Sequence, residues 1–435
     1  MQSVNFALTV YDRKGKVIAG PVDTKTFWNA LSIKTCPLPN QPGCWDTNNE
    51  GPKQNADACN DGAASDAVVL YDRLADRWVV SRPGSRLLCL AVSETPDPTG
   101  KYFQYAFLVN SKGLNIAAGF DFSKLYVDYP KLGIWPDAYY VTARPRLPFG
   151  IGNTVSAFDR KAMLRGDAVP NTANANSNPP QDVTFFAPDP GNPNKAHSTL
   201  LPADLDGKTL PPDGAPGYVV QVRDRHLGFR RPSQLWVYEF HVNWINPLFS
   251  NFFQTAGLSL DLPIINLPIF DSEACEGDWP GSAQDCIVQP NTAQKLDALD
   301  HGTLMYRLSY RNLAHETLLL NQTVAADGAP SQNQAGIHWY ELRKAGDAWG
   351  IYQQGVWAPD DNDRWLGSIA MDDGGNIALG FSVSGTSPNA DPSIHYVGRQ
   401  TNDTLGELSG ETSLIDGGGV QQGMPPSDQF VTIAR

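Results

Sequence analysis

Large apolar residues alternate with small or polar ones along most of this chain. A period of two leaves a polypeptide little choice but half-buried β-strands. In residues 376–384, Ile377, Leu379, Phe381 and Val383 alternate with Ala378, Gly380, Ser382 and Ser384. Ser368-Ile369-Ala370-Met371 leads into them through Asp372-Asp373-Gly374-Gly375, a sharp turn with glycines available for positive φ, so the pair reads as a hairpin. A second hairpin runs from Leu304, Tyr306, Leu308 and Tyr310, which alternate with Met305, Arg307, Ser309 and Arg311, into residues 316–320. A third joins Val68-Val69-Leu70-Tyr71-Asp72 to Arg77-Trp78-Val79-Val80-Ser81. Helical periodicity is confined to short pieces at 159–166 and 292–300.

The hairpins share a sequel. A strand rich in aromatics and ending in charge follows as Val155-Ser156-Ala157-Phe158-Asp159-Arg160, Leu235-Trp236-Val237-Tyr238-Glu239-Phe240-His241, Ile337-His338-Trp339-Tyr340-Glu341-Leu342-Arg343 and Ser393-Ile394-His395-Tyr396-Val397-Gly398-Arg399. Residues 6–13 have the same character. Repeated antiparallel sheets of three or four strands predict an all-β chain, a β-propeller of about six to seven blades forming a single domain over 1–435. The 39 Gly and 34 Pro supply its turns, and 41% hydrophobic residues supply its core. Pro/Asn-rich stretches near 166–215 and 255–292 read as loop insertions, because strands of the same type resume after each. Residues 6–12 and 428–435 are both strand-like and could close the last blade between them. A pair of β-sandwiches is the rival architecture.

With 33 Lys+Arg against 46 Asp+Glu, the formal charge of −13 argues against a nucleic-acid partner. The longest apolar stretch, 258–270, is broken by Asp261, Asn266 and two prolines, so no membrane-spanning segment is expected. The first twenty residues read as a strand without a basic or apolar leader region, so either the protein is cytosolic or a leader has been removed. Cysteines favour the second alternative. Cys36 and Cys44, and likewise Cys275 and Cys286, bracket turn-rich loops suited to disulfides, with Cys59 and Cys89 as a third pair; these spacings suit a zinc site less well. Sequons begin at Asn321 and Asn402. Together they point to a secreted or extracytoplasmic setting.

Several longer stretches carry a resemblance. They include residues 68–78, Asp128-Tyr129-Pro130-Lys131-Leu132-Gly133-Ile134-Trp135-Pro136-Asp137, Leu201-Pro202-Ala203-Asp204-Leu205-Asp206-Gly207, residues 294–297 and Tyr306-Arg307-Leu308-Ser309-Tyr310-Arg311-Asn312. Trp339-Tyr340-Glu341-Leu342-Arg343, residues 352–355 and Arg364-Trp365-Leu366-Gly367-Ser368-Ile369-Ala370-Met371-Asp372 complete the set. On these motifs, spread over nearly the whole chain, it resembles a family of secreted, largely uncharacterised, mostly bacterial β-propeller-like proteins. The resemblance implies a propeller and no particular activity.

In a propeller, residues at the blade openings converge on a central funnel. Here those positions carry Asp66, Asp128, Asp204, Asp297 and Arg364. Such a ring could grip sugar hydroxyls, hold Ca²⁺ or supply an acid/base pair for glycoside chemistry. The plainer reading is that each aspartate accepts backbone N–H bonds at a turn. No cofactor is identified. No His-x-x-x-His pair, Gly-x-Ser-x-Gly elbow or dinucleotide fingerprint is present. The Asp372–Asn376 segment superficially resembles a calcium loop but is better explained as a plain turn. Trp45, Trp135, Trp279 and Trp357 could stack on sugars or pack between blades. Two functions stay open: a surface module binding a polar ligand, with a polysaccharide or cell-surface glycan first in line, and a glycoside hydrolase or lyase using funnel aspartates.

Overall fold

The structure, a computed structural model, describes residues 1–4, 7–28, 59, 66–84, 87–108, 126–147, 150–151, 153–169, 173–174, 177–187, 200–223, 234–259, 285–298, 304–326 and 334–422. An N-terminal three-stranded sheet holds β1 (Gln2–Val4), β2 (Ala7–Tyr11) and β3 (Val17–Asp23), followed by helix α1 (Thr24–Trp28). Next come β4 (Val68–Asp72), β5 (Arg77–Pro83), β6 (Leu87–Ser93) and β7 (Tyr102–Leu108), each paired antiparallel to the one before. The following sheet contains β8 (Tyr126–Ile134), β9 (Ala138–Leu147), β11 (Asn153–Asp159) and β12 (Asp182–Ala187), with β10 (Gly150–Ile151) pairing the end of β9. Helix α2 (Arg160–Arg165) leaves β11.

An eight-stranded sheet then combines two meanders. One is β13 (Leu200–Leu205), β14 (Gly217–Arg223), β15 (Gln234–His241) and β16 (Asn251–Ser259). The other is β19 (Leu308–Asn312), β20 (Glu316–Ala325), β21 (Ala335–Ala345) and β22 (Ala348–Trp357). Between them in sequence lie β17 (Asp285–Ile287) and β18 (Leu296–Asp297), a two-stranded pair. The last sheet is β23 (Asp363–Met371), β24 (Ile377–Ser384), β25 (Ser393–Arg399) and β26 (Ser409–Ile415).

The fold is therefore all-β, and its repeating unit is the four-stranded antiparallel meander of a propeller blade. The repeat read from the sequence has a structural meaning. The four aromatic strands after the N-terminus are β11, β15, β21 and β25, each the third strand of its meander. A third strand is paired along both edges, and β21 is buried from Ala335 to Leu342, whereas β25 leaves Ile394 and Tyr396 exposed. The anticipated hairpins at 68–81 and 368–384 are present as β4–β5 and β23–β24, and the alternation of 376–384 buries Ile377, Leu379, Phe381 and Val383. Burying each such side chain stabilises by about 1.5–3 kcal/mol.

Some expectations change. The stretch 166–215 is not one loop, because β12 and β13 lie within it, and the start of 255–292 continues β16. The helix expected at 292–300 does not form in its described part: Gln294 N–H donates to Thr292 Oγ1, Gln289 Nε2 captures the Gln294 carbonyl, and Leu296 pairs with Ile287. Helix α2 does form. Asp159 caps its start by accepting from Ala162 N–H, and Gly166 ends it at φ 69°. Closure through 428–435 lies outside the described residues.

The described residues divide into two compact units, the first within Met1–Pro188 with His241–Asn251 and the second within Asp189–Phe240 with Phe252–Val431. The core of the first is packed from the β4–β7 sheet and the β8–β12 sheet, with Val79, Leu90, Tyr105, Phe107, Leu132, Val141 and Phe158 in one cluster. A buried polar clasp crosses between those sheets. Arg160 donates through Nε (2.7 Å) and Nη2 (3.0 Å) to Asp72, which also accepts from Tyr139 Oη at 2.8 Å. The core of the second unit includes Leu319, Ile337, Trp339, Ile369, Leu379 and Phe381.

Cys59 and Cys89 form a disulfide, with Cα atoms 6.1 Å apart. Cys286 is also disulfide-bonded, whereas Cys275, Cys36 and Cys44 lie outside the described residues. Closing a loop with a sequence separation of 30 stabilises by about 3–4 kcal/mol in the chain-entropy account. The Cys59→Ala/Cys89→Ala variant is accordingly expected to lose about 3 kcal/mol in urea unfolding; a loss below about 1 kcal/mol would show that the bridge does not constrain the unfolded chain.

Candidate functional site

Two of the motif stretches, 201–207 and 306–312, meet in the second unit. Ala203, Asp204 and Leu205 of β13 pair in parallel with Leu308, Ser309 and Tyr310 of β19, and this pairing joins the two meanders into one sheet. The junction extends one step further, since Asp206 N–H donates to the Tyr310 carbonyl at 2.8 Å. Strand alternation places Asp204 and Asp206 on the same side. Both carboxylates meet one guanidinium: Arg307 Nε lies 3.2 Å from Asp204 Oδ2, and Nη2 lies 2.8 Å from Asp206 Oδ2. Ser309 Oγ also donates to Asp206 Oδ2, at 3.2 Å.

Arg311 completes the cluster. Its Nη2 is 3.5 Å from Asp206 Oδ1, and its Nη1 is 2.5 Å from Asp373 Oδ1. Gly207 makes room for it: at φ +80° a Cβ there would be strained and would come 2.8 Å from Arg311 Nη1. Asp373 belongs to the Asp372–Asn376 turn, which is the plain hairpin turn expected, with Asp372 Oδ1 accepting from the backbone N–H of Gly374 and Asn376.

The carboxylates are enclosed and the Arg307 side chain is partly exposed. Side-chain exposure is 7% for Asp204 and 8% for Asp206, against 30% for Arg307. Burial works against the charge on Arg307, but Asp204 and Asp206 outweigh it and raise its pKa. Among the described residues Arg307 Nη1 makes no hydrogen bond, and Arg311 Nε is buried without an acceptor. The cluster therefore joins donors with unused capacity to a net charge of −1, two arginines against three aspartates.

The remaining expected site residues have other settings. Asp66 precedes β4 with φ 54°, and Asp128 lies on β8, where its Oδ1 accepts from Tyr129 N–H at 3.0 Å; both are in the first unit. Asp297 sits on β18 opposite Asp285. Arg364 is buried and has no donor left for a ligand. Its Nε and Nη2 reach Glu411, Nη1 and Nη2 reach Asp360, and Nη1 also donates to the Asn362 carbonyl. Arg307 and Asp206, not singled out from the sequence, join Asp204 in this cluster. Their signal was present, since both belong to the motif stretches.

Among the described residues no three His, Cys, Asp or Glu side chains gather as a metal ion would require. Trp135 is buried in packing, and Trp357 donates to Glu411 at 2.6 Å, while Trp45 and Trp279 lie outside the described residues. Asn321 is fully buried on β20, so its sequon is closed in the folded protein; Asn402 is exposed. No helix among the described residues is long and apolar enough to cross a membrane.

No family model matches the chain, and no curated protein sequence does. Solved structures with some likeness include an α-L-arabinofuranosidase from Fusarium graminearum in complex with an iminosugar inhibitor, at 10% identity and a TM-score of 0.33, covering 68% of each chain. An α-L-arabinanase from Cellvibrio cellulosa complexed with arabinohexaose is 11% identical with a TM-score of 0.31, covering 79% of this chain and 94% of that one. An exo-β-1,3-galactanase from Clostridium thermocellum is 10% identical with a TM-score of 0.30, covering 77% of this chain and 62% of the other.

Proposed function

We propose that the protein is an extracytoplasmic binding module for a neutral polysaccharide, with Asp204, Asp206, Arg307 and Arg311 contacting the sugar hydroxyls. The observation that carries this reading is the half-used guanidinium of Arg307, on a side chain that is 30% exposed and anchored by two buried carboxylates. A hydroxyl both donates and accepts, so it is matched by a guanidinium set beside carboxylates. A phosphate or sulfate would instead call for net positive charge, and this cluster is net negative. Acid/base glycoside chemistry needs two carboxyls with different protonation across an open cleft. Asp204 and Asp206 share one cation, which favours binding over hydrolysis. Asp66, Asp128 and Asp297 remain further positions for ligand contact in this proposal.

A glycan array paired with turnover assays on the same polysaccharides tests the proposal. Binding without turnover is expected. Turnover lost in Asp204→Asn would replace the binding module by a hydrolase or lyase, and silence in both assays would remove the polysaccharide.

A further inference from the structure

The connection between β15 and β16 presents large apolar side chains to solvent. Ile245 is 98% exposed, Leu248 76% and Phe249 70%. Exposed apolar groups clustered in this way mark an interaction surface. The turn that carries them is firmly tied. Asn243 Oδ1 accepts from Ile245 N–H and Asn246 N–H, and Asn246 Oδ1 accepts from Leu248 N–H. Phe249 N–H donates to the Asn246 carbonyl and Ser250 N–H to the Pro247 carbonyl. Position 247 is proline and has no N–H. Every backbone N–H from Ile245 to Ser250 is thus satisfied within the turn itself.

That saturation fits a lipid partner. A protein or sugar partner offers acceptors and places no demand on a turn to satisfy its own donors. Hydrocarbon offers none, so backbone can leave water for lipid only when its donors are paired internally. The charge pattern agrees, because no Lys, Arg, Asp or Glu occurs between His241 and Asp261. At the base, Trp244 Nε1 donates to the Asp137 carbonyl on the β8–β9 connection, and Gln181 Nε2, just before β12, donates to the Trp244 carbonyl, fixing the turn at two points. A tryptophan with one polar and one apolar side suits the boundary between water and lipid.

We propose that this turn inserts Ile245, Leu248 and Phe249 into the interfacial layer of a lipid bilayer, to a depth of about 5–10 Å. The attraction is apolar. With a net charge of −13 and no basic residue in the turn, the protein favours zwitterionic over anionic lipid.

Flotation of the full chain with phosphatidylcholine vesicles provides the test. The expected result is co-flotation that is unchanged between about 0.05 and about 0.5 M salt, and that weakens when phosphatidylserine is added. Leu248→Ser and Phe249→Ser are each expected to lower the partition about tenfold or more, because each removes an apolar side chain from lipid. Both positions are solvent-exposed, so melting temperatures should match the parent. Failure of the parent protein to float overturns the proposal, as does equal flotation of an Ile245→Ser/Leu248→Ser/Phe249→Ser variant. Self-association that this variant abolishes, without flotation of the parent, would assign the turn to a protein contact instead.

Discussion

Replacing Arg364 with methionine is expected to lower the unfolding free energy by about 3–5 kcal/mol, the range for breaking a buried ion pair from one side. The side chain is only 2% exposed, and its main buried partner is Glu411, at 16%. Asp360, the other carboxylate, is half exposed and contributes less. Glu411 is the centre of the network. It accepts from Arg364 at 3.0 and 3.1 Å, from Trp357 Nε1 at 2.6 Å, and lies 2.9 Å from His395 Nδ1. Burial works against its ionised form, but the hydrogen bonds from Arg364, His395 and Trp357 outweigh burial and hold its pKa below the usual range. Arg364→Met leaves that carboxylate desolvated with its strongest partner gone. Adding Glu411→Gln removes the stranded charge and should restore part of the loss. A loss below about 1 kcal/mol for Arg364→Met, read from urea midpoints, would place the network with weak surface pairs.

Acid is the second lever. His338 on β21 is buried in a chain of hydrogen bonds: Gln322 Nε2 donates to Tyr340 Oη at 3.1 Å, Tyr340 Oη lies 3.0 Å from His338 Nδ1, and His338 Nε2 lies 3.1 Å from Gln354 Oε1. The order is consistent when Tyr340 donates to Nδ1 and the imidazole carries its proton on Nε2. Burial pushes the His338 pKa down to about 3, with the Gln354 bond opposing. Because the folded value lies below the unfolded one near 6.5, the contribution is fully present above about pH 6.5 and is lost as pH falls toward 3. Between pH 7 and pH 4.5 this amounts to about 3 kcal/mol. His338→Gln keeps polar groups at the site and removes the titration. The stability difference between parent and variant should therefore shrink by about 3 kcal/mol over that interval, and a difference independent of pH would contradict the neutral buried imidazole.

The parts of this fold that the sequence revealed are those governed by local alternation. Ile377, Leu379, Phe381 and Val383 sit on one face because strand side chains alternate, and the aromatic strands stood out because each occupies the third position of its meander. Local chemistry also explains the misses. Gln289 captures the Gln294 carbonyl that a helix at 292–300 would have needed, Leu296 pairs with Ile287 instead, and β19 begins at Leu308, leaving Tyr306 and Arg307 outside the strand expected from 304. The site was legible only in part. Asp204 was identified as a candidate, but its partner Asp206–Arg307 ion pair spans 101 positions and depends on a parallel pairing of two first strands. No local pattern encodes that pairing. Arg364 was expected in the funnel for its place at a blade opening, and only the structure shows its N–H groups taken up by Glu411, Asp360 and the Asn362 carbonyl.

The claim that Arg307 contacts a polysaccharide is tested most directly by the affinity of Arg307→Lys for the glycan that the parent protein binds best, measured by calorimetry. Lysine keeps a positive charge near Asp204 and Asp206 but has neither the fork nor the second donor arm. The proposal predicts an affinity at least about tenfold weaker, a change of about 1.4 kcal/mol, with the melting temperature close to the parent's. Equal affinity in the two proteins would contradict it.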